Sequence, residues 1–200
     1  MKICVFLGAN NGGNTIYAET TQNFAIEIIK NDATLVYGGS NIGLMGVIAN
    51  SILNAGKQVI GVVPLSGLPT EITHQNLSEL VYTADMESRK QKMIEIADAF
   101  VAMPGGLGTF EEIFKVWNAI KLGEIKKPLV IININGYFTP LINLMNHAVS
   151  ENFAKNEHLD LIDIVDNVSF IFPKINEKKD ILFNETLNNI EAPRSKKFFS

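Results

Sequence analysis

One cysteine in 200 residues cannot form a disulfide within the chain, so nothing covalent staples this fold and a reducing compartment is the expected setting. Cys4 lies in the first apolar run, where a small buried hydrophobe is a better reading than a nucleophile. Histidine is almost as scarce: His74, His147 and His158 share no metal-ligand spacing with one another or with Cys4. No H-E-x-x-H or paired-cysteine pattern occurs, so a metal site is not expected. Positive charge is not in excess, because 17 Lys and Arg stand against 21 Asp and Glu, with a net charge of −4 and a pI near 5.4. That balance argues against a broad nucleic-acid or membrane-binding surface. Long apolar runs are missing too. The opening run, residues 3–7, stops at Gly8 and is too short for a signal peptide, and no later run approaches the ~18 apolar residues of a membrane span. A cytoplasmic protein is expected.

What the chain does have is 46% hydrophobic residues, enough for one globular domain with a continuous core. Short apolar runs alternate with longer helical patterns, the mark of repeated βα units around a parallel sheet with helices on both faces. Strands are expected near residues 2–7, 34–37, 58–63, 79–83, 99–103 and 128–133, and helices near 15–31, 43–55, 86–97, 109–122 and 137–150. Residues 160–173 add one more short strand and helix. The domain is expected to span 1–173, and residues 174–200, mixed in Asn, Glu and Lys, read as a C-terminal tail that is mobile or packed on a partner.

Two glycine turns carry the chemistry. Val101-Ala102-Met103-Pro104-Gly105-Gly106-Leu107-Gly108-Thr109-Phe110-Glu111-Glu112 joins an apolar strand to a helix. Its glycines let the backbone approach a ligand, and the helix start favours a phosphate. Thr109 can cap that helix, which sets Glu111 and Glu112 in its first turn. Two carboxylates so close to an anion call for a cation or a reaction. Thr109-x-x-Glu112 equally has the spacing of a capping box, in which the glutamate serves only the helix. The second turn, Gly38-Gly39-Ser40-Asn41-Ile42-Gly43-Leu44-Met45-Gly46, has neither the G-x-G-x-x-G spacing nor the acidic partner of a dinucleotide site, and no Walker lysine occurs in the chain. Either turn alone could be strand-to-helix packing; two at strand ends favour ligand binding, with Gly39 and Ser40 as candidate contacts. Asp85-Met86-Glu87-Ser88-Arg89-Lys90 places two cations at a helix start, where the dipole penalises them. They call for an anionic partner, a phosphate or the carboxylates of the other loops, unless they form a solvated face paired with Glu87. Phe110, Phe114 and Trp117 recur at helical spacing as core or interface groups.

Gly38-Gly39-Ser40-x-x-Gly43-Leu44-Met45-Gly46, Met86-x-x-Arg89-Lys90 and Pro104-Gly105-Gly106-x-Gly108-Thr109-x-x-Glu112, in this order, resemble the Lonely Guy family of nucleoside 5′-monophosphate phosphoribohydrolases. The likeness runs from residue 1 to about 172, through Asn135-Gly136-Tyr137-Phe138, and leaves the tail uncovered. It implies a modified Rossmann fold, a homodimer or larger unit, and release of a free base and ribose 5-phosphate from a ribonucleotide such as AMP or a cytokinin ribotide, with no cofactor. By the resemblance Arg89 and Glu112 match the catalytic pair, and Glu71, Lys90, Gly105, Gly106, Gly108, Thr109 and Glu111 match substrate contacts. Departures fall at Glu87, where the family often has histidine, at Lys121, at Ala9, Asn10 and Asn11 in the first loop, and at Ser40; they bear on base preference more than on reaction type. Some relatives carry a lysine decarboxylase label, which nothing in this sequence supports. The competing readings are a carrier, similar to molybdenum-cofactor carriers, and a nucleotide-sensing module; each needs the turns but not the Arg89–Glu112 pair.

Overall fold

The computed structural model describes residues 1–66 and 72–191, with side chains through residue 184. Glu71 and residues 192–200 lie outside the described residues.

Runs of β-branched and aromatic residues form seven strands: β1 (Lys2–Phe6), β2 (Thr34–Tyr37), β3 (Val59–Pro64), β4 (Glu79–Thr83), β5 (Ala99–Ala102), β6 (Leu129–Ile132) and β7 (Asp163–Val165). All pair in parallel, in the order β4-β3-β2-β1-β5-β6-β7. Side chains alternate across β1, so Ile3, Val5 and Leu7 enter one core layer while Cys4 and Phe6 enter the other. The first layer is closed by α1 (Ile16–Lys30), α2 (Gly43–Asn54) and the start of α7 (Ile171–Glu191), through Phe24, Ile28, Ile48, Ile52, Phe172 and Ile175. The second is closed by α3 (Met86–Ile96), α4 (Leu107–Lys121) and the stretch from Phe138 into α5 (Thr139–Ser150). A short α6 (Asn156–Leu159) lies over Trp117, whose indole N–H donates to the His158 carbonyl at 2.7 Å. The two edge strands, β4 and β7, are the partly exposed ones. Helices thus cover both faces of one parallel sheet, as the alternating pattern predicts.

Three expectations differ in detail. The helix after β5 begins at Leu107, two residues before Thr109, because Gly106 takes the extended N-cap conformation (φ −94°, ψ −155°) and Gly108 is already helical. The expected helix at 137–150 starts at Thr139 with Pro140 in its first turn, after a 3₁₀ turn over Ile134–Gly136 in which Asn135 has φ 51°. The pattern expected to fade after Pro173 continues instead as α7, which buries Ile175 and carries a single helix to Glu191. Cys4 is fully buried and burial raises its thiol pKa well above the usual range, in keeping with its reading as a core residue.

The strand order reverses beside β1, which has β2 on one side and β5 on the other. Crevices above the carboxyl ends of strands at such a point are where open α/β sheets hold ligands.

Candidate active site

The exits of β1, β2 and β5 frame one cavity of about 580 Å³ at this switch point. Backbone hydrogen bonds fasten the three exits together: the Gly8 N–H donates to the Pro104 carbonyl at 3.0 Å, and the Met45 N–H to the Gly8 carbonyl at 3.4 Å. The Tyr37 hydroxyl donates to the Ser40 carbonyl at 3.1 Å, fixing the second glycine turn.

Gly38 is required by a close approach. A Cβ there would stand 1.9 Å from Nη2 of Arg89, so the missing side chain is the space the guanidinium occupies. Gly106 and Gly108 are the opposite case. Each lines the cavity, a Cβ on either would meet nothing within 4 Å, and neither has positive φ. The fold does not need glycine at these positions, and Gly108 weakens the first turn of α4. What they supply is open approach to the N–H groups at the start of α4, which have no partners within the helix. Anions bind at such a place. Gly105, by contrast, is packed, since a Cβ would stand 2.1 Å from Thr109 Oγ1.

Asp85 caps α3 by accepting from the Ser88 N–H at 2.7 Å, and the first turn then sends Arg89 inward beneath Gly38. Its Nε–H donates to the Val62 carbonyl at 3.0 Å, and Nη1 stands 3.4 Å from Oε1 of Glu112. Both members of this pair are sheltered, with 8% and 13% of their side chains exposed. Burial dominates the Glu112 carboxyl and pushes its pKa up to about 7; Arg89 opposes the rise, and Glu111 adds to it. Near neutral pH the buried carboxyl therefore still holds its proton for part of the time, despite the cation beside it.

The structure brings Arg89, Glu112, Thr109, Ser40, Gly105, Gly106 and Gly108 to the same cavity. Gly39, with φ 75°, lies behind the lining, where a Cβ would strike Val63. Lys90 and Glu111 are not in the lining; they form an ion pair with each other, and Lys90 also holds Glu87 at 3.0 Å. Glu87 in turn pairs with Lys115. The α3 cations thus find their anions on α4 as well as on their own helix. Thr109 is the third helical residue and Gly106 the N-cap, so Thr109 does not cap α4 and the capping-box reading of Glu112 is excluded; both glutamates lie in the second turn.

Of the further lining residues, Tyr17 and Ile72 carry no signal in the sequence, whereas Met45, Met86 and Tyr137 lie within the quoted motifs and Asn10 and Asn11 in the first loop. Tyr17, Met45, Ile72, Met86 and Tyr137 give the cavity apolar walls, with Asn10 and Asn11 at its mouth. The Tyr137 hydroxyl donates to the Gly105 carbonyl 32 residues away, a contact no local pattern announces. Among the described residues, no group of three or more His, Cys, Asp or Glu could hold a metal ion, and no helix is long and apolar enough to cross a membrane.

Residues 45–175 match a family model described as "Possible lysine decarboxylase". The chain is 40% identical over 152 residues to a cytokinin riboside 5′-monophosphate phosphoribohydrolase of Arabidopsis thaliana, covering 76% of this chain and 71% of that protein. It is 35% identical over 176 residues to a probable cytokinin riboside 5′-monophosphate phosphoribohydrolase of Oryza sativa subsp. japonica, covering 88% and 72%. Among solved structures, the molybdenum cofactor carrier protein of Chlamydomonas reinhardtii superposes with a TM-score of 0.64 at 19% identity, over 88% of this chain and 96% of that one. At that identity the likeness is one of fold.

Proposed function

Because the chain belongs to the Lonely Guy family of phosphoribohydrolases, we infer that it hydrolyses the N-glycosidic bond of a nucleoside 5′-monophosphate, AMP or a cytokinin ribotide, to the free base and ribose 5-phosphate. One observation carries the reading: a sheltered Arg89–Glu112 pair faces the same cavity as an anion turn whose Gly106 and Gly108 the fold itself does not need.

The 5′-phosphate docks on the N–H groups of residues 105–109, and its binding energy positions the sugar. Cleavage builds positive charge on the ribose, which the Glu112 carboxylate stabilises while it takes a proton from the attacking water. The water oxygen bonds to C1′, the C1′–N bond breaks, and its electron pair leaves with the base, which gains the proton that water lost. Arg89 steadies the carboxylate and offsets the negative charge gathered at the site. Lys90 and Glu111 take the role of rim contacts to the ribose, and Glu71 belongs to the same proposed set.

A lysine decarboxylase reading finds no lysine in the described lining to hold a pyridoxal aldehyde. A carrier reading rests on fold likeness alone and leaves the Arg89–Glu112 pair without a purpose. A homodimer and a cytoplasmic setting complete the proposal. The first is supported by Phe114, which stacks on Trp117 with ring centroids 6.1 Å apart yet stays 40% exposed on α4. The second is supported by the single buried thiol. Incubation with AMP followed by chromatography tests the reaction: adenine and ribose 5-phosphate should accumulate in equal amounts, whereas AMP bound but intact would favour the carrier.

A further inference from the structure

We propose that Tyr137 is a positioning residue that sets the direction of the anion-binding amide at Gly106. The inference rests on the reading above and adds to it a residue that follows β6, the strand beside β5.

The argument starts from the peptide that links Gly105 to Gly106. It is trans and planar, so its carbonyl and its N–H point in opposite directions. With glycine on both sides, this unit has more freedom to rotate about its flanking bonds than any other in the turn. If it flipped, the carbonyl would face the cavity and repel an anion that the N–H would otherwise attract. Tyr137 prevents this. Its hydroxyl donates to the Gly105 carbonyl, which holds that oxygen on the Tyr137 side and turns the Gly106 N–H the other way. Among the described residues, that N–H meets no acceptor of its own.

The phenol is itself held firmly. Its ring meets Tyr17 edge-on at 5.6 Å and Phe138 edge-on at 5.0 Å. The turn before it is closed by Asn133, whose side-chain oxygen accepts from the Phe138 N–H at 2.7 Å and whose amide donates to Thr139 Oγ1 at 3.1 Å. The Gly105 carbonyl is thus fixed by a side-chain donor on a braced element, while the Phe110 N–H holds the Gly106 carbonyl at 3.1 Å. Preorganised donors of this kind lower the cost of binding because nothing must reorient when the ligand arrives.

Tyr137→Phe removes the donor and keeps the ring contacts. In calorimetric titration of the full chain, its Kd for ribose 5-phosphate should rise about tenfold, the loss expected for one well-made hydrogen bond. The KM for AMP should rise by a similar factor with kcat changed less than about twofold, and affinity for adenosine, which lacks the phosphate, should stay as in the wild type. A merely structural tyrosine would weaken AMP and adenosine alike, and that result overturns the proposal. Unchanged ribose 5-phosphate affinity in the variant overturns the role of Tyr137 while leaving the phosphate turn intact. A wild-type chain that binds no ribose 5-phosphate overturns both.

Discussion

In the proposed reaction the chemistry turns on Glu112, and the burial of this residue makes a prediction with a definite sign. A carboxyl raised from 4.5 to about 7 in the folded chain holds its proton more tightly there than in the unfolded chain. The stability it contributes is fully present below pH 4.5 and is lost as pH rises through about 7. Glu112→Gln has no such proton to lose. Denaturant unfolding at pH 5, 6, 7 and 8 should therefore show the variant gaining on the wild type as pH rises, by a few kcal/mol at most, at about 1.4 kcal/mol per pKa unit. Activity should move the other way. The wild-type kcat/KM should climb with pH to a plateau above about 7 as the carboxylate forms, and Glu112→Gln should lie roughly 10² to 10⁴ below that plateau and lose the rise with pH. A variant that kept its activity would return Glu112 to a structural role. The neighbouring Arg89 cannot be replaced by lysine without loss, because Nε is committed to the Val62 carbonyl while Nη1 faces Glu112, two directions one ammonium does not span.

At the scale of the element, α4 gives up helix stability for open space at its first amides, where the proposed phosphate docks. Gly108 lies in its first turn with open space where a Cβ would stand, so Gly108→Ala should stabilise the fold by about 0.5 kcal/mol. The added methyl group would crowd the amides on the cavity side. Thermal unfolding should show the midpoint rising while AMP affinity falls; a rise in both would remove the anion from this turn. The same helix shows what the sequence disclosed and what it hid. The glycine run and the two glutamates are legible, but Thr109 has the composition of a cap and the glycines before it that of a turn. The true start depends on the backbone angles of Gly106, which sequence does not print. α7 was hidden for a related reason: Ile171, Phe172 and Ile175 are spaced to face the core, but the Asn, Glu and Lys around them dilute the pattern.

Over the whole molecule, the parallel sheet is readable because nearly every strand is apolar on both faces, and the candidate cavity lies at the strand ends where such sheets hold ligands. Which side chains meet there was only partly readable. Arg89 and Glu112 are 23 residues apart, and their pairing could be anticipated from cations placed at a helix start. Tyr137 could not, since its partner is a backbone carbonyl from another strand exit. Nor does sequence reveal burial, the cause of the raised Glu112 pKa. Assembly belongs to this scale as well: Phe114 and Leu122 leave apolar surface exposed on and just after α4. Light scattering after size exclusion should give twice the 22.0 kDa chain mass. A single-chain mass would leave that surface without the expected partner.

The central claim is geometric, and a crystal grown with ribose 5-phosphate tests it most directly. The account predicts the phosphate within hydrogen-bonding distance of the amides of residues 105–109, and the sugar C1 facing the Glu112 carboxyl across the cavity. A sugar phosphate seated elsewhere, or reversed so that C1 points away from Glu112, would contradict it.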